Sequence, residues 1–81
     1  MKHAIMSVRD LATESFGRPF TVPHIASAHR SFSDEANNSE SEIAKHAEDY
    51  ELWCLGTFDD TTGQLITEHE RIARATDLKR A

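Results

Sequence analysis

The sequence predicts an α+β fold: a small antiparallel three-stranded sheet, ordered strand-helix-strand-strand, with one main helix on one face and a short C-terminal helix or tail. Three patterns carry this expectation: an alternating segment at the start, a helical stripe in the middle, and an aromatic-rich segment followed by turn residues.

Lys2 to Arg9 (KHAIMSVR) mixes apolar and polar residues with a period near two and closes at Asp10, as a strand does. Ala4, Met6 and Val8 share one face with Lys2 at its end, whereas His3, Ile5, Ser7 and Arg9 form an amphipathic second face. Residues 11–20 place Gly17 and Pro19 between Phe16 and Phe20, which suits a connecting loop that tucks a phenylalanine under a core edge. A base-stacking loop is the functional alternative for these rings.

A helix is expected to begin near Thr21-Val22-Pro23, because proline fits a first helical turn. Ile25, Ala28, Phe32 and Ala36 then recur at helical spacing, with His29 on the same stripe, until Asn37-Asn38-Ser39 supplies turn-forming residues. Ser39 to Glu42 is a polar connector, and Ile43 to Ala47 has room for one short helical turn. Tyr50 to Phe58 (YELWCLGTF) is the densest aromatic and aliphatic stretch and predicts a strand. Strict alternation would set Tyr50, Leu52, Cys54 and Phe58 on one side and Trp53 and Leu55 on the other.

Asp59 to Gly63 is a turn sequence with glycine where a positive φ is needed, and Gln64 to Thr67 returns as the third strand of a hairpin. Ile72, Ala75 and Leu78 recur every three residues, which marks 68–81 as a basic amphipathic tail or short helix. One helix covers only one face of such a sheet, so Ile5, Trp53 and Leu55 form a second apolar face that must meet something. A like sheet in a homodimer fits, and so does single-stranded nucleic acid, where stacking contributes about 1–3 kcal/mol per base. The two are compatible.

With 81 residues the chain makes a single small domain, since a domain of this size buries only about 60% of its unfolded surface. A mean hydropathy of −0.57 and the lack of any long apolar run argue against a membrane span and a signal peptide. The single cysteine, Cys54, makes no internal disulfide, which points to a reducing compartment.

The net charge of −5 opposes bulk electrostatic binding of nucleic acid, but it is unevenly spread. Residues 71–81 carry Arg71, Arg74, Lys79 and Arg80 against Asp77, a net +3, while residues 1–70 carry a net −8. Any nucleic-acid contact is therefore local. The candidate contacts are Lys2 and Arg9 on the first strand, Trp53 as a stacking residue, and Arg71, Arg74, Lys79 and Arg80. For the last four, a solvated helix with basic residues near its C-terminus is the alternative.

Enzymatic motifs are missing. Gly17, Gly56 and Gly63 lie far apart and form no phosphate loop. Cys54 sits inside the most hydrophobic strand without a basic neighbour in sequence, as a structural thiol does. His24 and His29 are spaced by five and share no two-ligand helical face, and His3, His46 and His69 lack ligand-rich sequence surroundings. Glu48, Asp49, Glu51, Asp59 and Asp60 flank the aromatic strand as solvating ends. The expectation is a non-enzymatic protein without metal or cofactor.

Several blocks in order carry a resemblance: Met1-Lys2-His3 with Ile5, Ser7-Val8-Arg9-Asp10, Pro19-Phe20, Ala28 to Phe32, Glu48 to Leu52, Leu55 to Asp59, and Thr62-Gly63. Over roughly residues 1–66 the chain resembles the small nonstructural protein of gokushovirus-type microviruses, bacteriophages with single-stranded DNA genomes. The resemblance implies a protein of the infected host cell's cytoplasm that acts on viral DNA during replication, single-strand synthesis or packaging. It brings no catalytic motif. Single-stranded viral DNA is the expected ligand; the alternative is an acidic adaptor that docks on the viral replication initiator, the procapsid or a host factor.

Overall fold

The computed structural model describes residues 1–80; Ala81, the last residue of the expected tail, lies outside them. The fold is α+β, with an antiparallel sheet of five strands in place of the expected three. β1 (Lys2–Asp10) lies inside the sheet, paired along its length with β4 (Tyr50–Asp59), and β4 pairs in turn with β5 (Leu65–Arg74). The other edge of β1 is shared by β2 (Ser15–Phe16) and β3 (Phe20–Val22).

β2 and β3 come from the segment read as a loop. It runs back along β1 as one interrupted strand, broken where Gly17 and Pro19 fall. Arg9 opposes Phe16, but Met6 opposes Phe20, so the register slips by one residue across the break. That slip sends the two phenylalanines to opposite faces of the sheet, and neither is buried. The break is held by the Gly17 N–H on the Val8 carbonyl at 2.8 Å and by Ser7 Oγ donating to the Gly17 carbonyl at 2.8 Å.

α1 (Ile25–Ala36) starts later than expected, because Thr21 and Val22 are paired with Ile5 and Ala4 and leave Pro23 at the corner between strand and helix. Its stripe of Ala28, Phe32 and Ala36 packs on Ala4, Met6, Leu52 and Cys54, which are the buried centre of the protein. The helical turn foreseen after the polar connector is α2 (Glu42–Lys45), capped by Ser41 Oγ, which accepts the Ile43 N–H. A 3-10 turn at Ala47–Asp49 leads into β4.

The largest departures concern β4 and β5. A bulge lies between Cys54 and Gly56, so Phe58 opposes His3 and joins Trp53 on the face away from α1, contrary to strict alternation. The hairpin turn has Gly63 at φ +76°, as its sequence requires. β5 then continues to Arg74, so residues 68–74 are strand rather than amphipathic tail; main-chain pairing with β4 outweighs the three-residue spacing of the apolar side chains. Only α3 (Ala75–Leu78) is helical, and its Ala75 is fully buried in the core.

Asn37, at the end of α1, clamps the C-terminal segment against the helix. Its Nδ2 donates to the Ser33 carbonyl at 2.8 Å and the Leu78 carbonyl at 3.0 Å, and its Oδ1 accepts the Arg80 N–H at 2.8 Å.

Candidate nucleic-acid interface

All helices lie on one side, so the opposite face of the sheet is formed by side chains of the strands alone. Along β1 this face carries His3, Ile5, Ser7 and Arg9; β4 adds Glu51, Trp53 and Phe58; β5 adds Leu65, Thr67, His69 and Arg71.

Three rings cluster there. The Phe16 ring meets Trp53 edge-on at 5.7 Å between centroids with an interplanar angle of 85°, and His69 lies 6.2 Å from Phe16. The Arg9 guanidinium sits over Phe16, 4.9 Å from its centroid, in a cation–π arrangement. Phe16, whose ring the sequence offered as a stacking alternative, joins Trp53 in one platform, and His69 completes it. The alternation of Leu65, Thr67, His69 and Arg71 was the available signal for His69.

Glu51 anchors the basic end of this face. It is only 7% exposed, yet it is surrounded by donors. Trp53 Nε1 donates to Glu51 Oε1 at 3.0 Å, and Oε2 lies 3.5 Å from Arg71 Nη1 and 3.7 Å from Arg74 Nε. Arg9 is directly opposite Glu51 in the β1–β4 ladder. Beside it a hollow of about 310 Å³ is lined by Leu11, Tyr50, Glu51 and Arg74 among others. Burial, then the negative charges of Asp10, Glu42 and Asp49, push the Tyr50 phenol above its ordinary pKa.

The structure thus brings together Arg9, Trp53, Arg71 and Arg74. Lys2 stands at the far end of β1, opposite Asp59. Lys79 and Arg80 fold against the helical layer, where Lys79 Nζ donates to the Ala44 carbonyl at 3.1 Å and the Arg80 N–H meets Asn37.

The opposite end of the open face is apolar. A hollow of about 390 Å³ is lined by Ile5, Pro19, Phe20, Thr21, Phe58 and Leu65. At the hairpin, the Asp60 carboxylate accepts from the Met1 ammonium at 2.7 Å and lies 2.8 Å from His3 Nε2. The Met1 hydrogen bond first, then that of His3, lowers the Asp60 pKa from 3.8 to about 2.

His46 has more company than its sequence neighbours suggest. It forms, with Glu48 and Asp49, a group whose donor atoms lie within 4.8 Å of one another, and it also lies 3.7 Å from Glu42. His46 and Glu48 are exposed, as expected of solvated residues where helix passes into strand. Cys54 is buried, with Sγ 3.5 Å from the Gly56 carbonyl. Among the described residues no helix is long and apolar enough to cross a membrane.

Fold and face together define a small α+β protein with a helix-covered core and an open sheet face that is aromatic and basic toward one end. The chain belongs to the phage ORF5 protein family, whose model matches residues 3–78. It is a phage protein, as the sequence resemblance implied. No curated protein and no solved structure matches the chain.

Proposed function

We propose that this is a non-enzymatic nonstructural protein of a gokushovirus-type microvirus that binds single-stranded DNA on the open sheet face. It serves viral replication, single-strand synthesis or packaging in the host cytoplasm. The supporting observation is the cluster of Phe16, Trp53 and His69 rings with the Arg9 guanidinium on a face that no helix covers. Bases stack on such rings irrespective of sequence, and Arg9 supplies a cation for the phosphates between them. Because the net charge is −5, binding rests on this local constellation. A homodimer would place two such faces on one strand and gain from their linkage.

The test is fluorescence anisotropy of a labelled single-stranded oligonucleotide at two salt concentrations, with Trp53 emission followed in parallel. Micromolar or tighter binding that quenches Trp53 supports the reading; no binding at low salt overturns it.

The apolar hollow between Ile5, Phe58 and Leu65 favours a second reading, an adaptor that takes an apolar side chain of the replication initiator, a capsid protein or a host factor. A pull-down from infected cells that loses its partner on Leu65→Asp would support it.

A further inference from the structure

We propose that Glu51 determines which form of nucleic acid the open face accepts, acting as an internal counter-ion that favours unpaired bases over duplex backbone. This inference rests on the single-strand reading above.

Duplex DNA hides its bases in the stack and offers a protein its phosphates, so sequence-independent duplex binding grows with the number of free cations presented. The open face has arginines at Arg9, Arg71 and Arg74, but they are not equally free. Glu51 Oε2 lies 3.5 Å from Arg71 and 3.7 Å from Arg74 and binds both back toward the sheet. Arg9 instead lies over the Phe16 ring. The Glu51 side chain is only 9% exposed, so these partners rather than water surround it.

The same carboxylate fixes the stacking surface. Its other oxygen accepts the Trp53 indole N–H at 3.0 Å, which satisfies the polar edge of the ring and sets its orientation beside Phe16. Glu51 therefore withdraws positive charge from phosphates and holds a ring ready for bases. The outcome is a face that gains more from a base than from a phosphate, and a base is accessible only in a single strand.

Glu51→Gln preserves the shape and an acceptor for the Trp53 N–H while removing the charge. Wild type and variant are titrated against a labelled oligothymidine and a labelled duplex of equal length across a series of salt concentrations. The expected result is that the variant binds duplex several-fold more tightly than wild type, with a salt dependence steeper by up to about 0.9 per cation released, and narrows the preference for single strands. A folded variant with unchanged duplex affinity and unchanged salt slope overturns the inference while leaving single-strand binding intact.

Should circular dichroism show that Glu51→Gln does not fold, Arg9→Gln and Arg71→Gln decide the matter. The inference requires the Arg9 variant to lose more of the salt slope, and equal losses overturn it. If the wild-type protein binds no oligonucleotide at low salt, the single-strand reading itself fails and takes this inference with it.

Discussion

The indole N–H of Trp53 donates to the carboxylate of Glu51, two residues earlier on the same strand and on the same face, at 3.0 Å. This bond holds the most polar atom of the ring against its own strand, so the remaining surface of the ring is what the protein can present to a ligand. Trp53→Ala should weaken single-strand binding by about 1–3 kcal/mol, the usual contribution of one stacked base. Trp53→Phe should retain most of the affinity despite losing the hydrogen bond. Anisotropy titrations of both variants check this, and equal losses would argue against stacking.

Gly56 leaves no room for a side chain in β4. Its φ is +150°, and a Cβ placed there would stand 1.9 Å from the Ile66 carbonyl oxygen, a backbone atom of the neighbouring strand. Gly56→Ala should cost about 3 kcal/mol or more through strain and overpacking. Urea denaturation reads the loss directly.

Asp60 makes the hairpin end sensitive to acid. Its pKa is lowered from 3.8 to about 2 by the Met1 ammonium and then His3. A carboxylate whose folded pKa lies below its unfolded value stabilises the protein above the unfolded pKa, and that contribution fades as pH falls from about 4 toward 2. The site is exposed, so added salt should shrink the effect. Thermal midpoints measured across this range should fall less steeply for Asp60→Asn than for wild type.

Asn37 fastens the C-terminal segment through the Leu78 carbonyl and the Arg80 N–H, and donates as well to the Ser33 carbonyl of its own helix. Asn37→Ala should destabilise the protein by about 1–2 kcal/mol, as expected for lost side-chain hydrogen bonds at a partly buried position. It should also speed tryptic cleavage after Lys79 more than cleavage elsewhere. Uniform acceleration at all sites would show a general loss of stability instead.

Local chemistry made much of the architecture readable from sequence. Alternation located β1, the apolar stripe located α1, and Gly63 marked a turn that needs positive φ. What escaped depended on partners distant in sequence. Phe16 and Phe20 to Val22 are strand-favouring residues, but in runs of two and three broken at Gly17 and Pro19 they are too short to be read as strands, and they form because the edge of β1 requires pairing. Ile72, Ala75 and Leu78 repeat with helical spacing, but only the last two belong to the helix, since Ile72 sits in an irregularity of the β4–β5 ladder.

The candidate interface was legible in the same uneven way. Arg9, Trp53, Arg71 and Arg74 converge on one face, while Lys2 lies at the far end of its strand and Lys79 and Arg80 turn to the helical layer. Composition identifies cations, but only the strand register decides which of them stand side by side. Phe58 shows the same limit, because one bulge moved it across the sheet.

The interior position of β1 also has a bearing on how the molecule assembles during synthesis. β1 leaves the ribosome before the other strands and can at once form its hairpin with β2 and β3, but its longer partner β4 emerges only after α1 and α2 have been made. Until then Met6, which ends fully buried, has only part of its cover. Closing the β1–β4 ladder is thus a long-range event, and it should set the pace of folding.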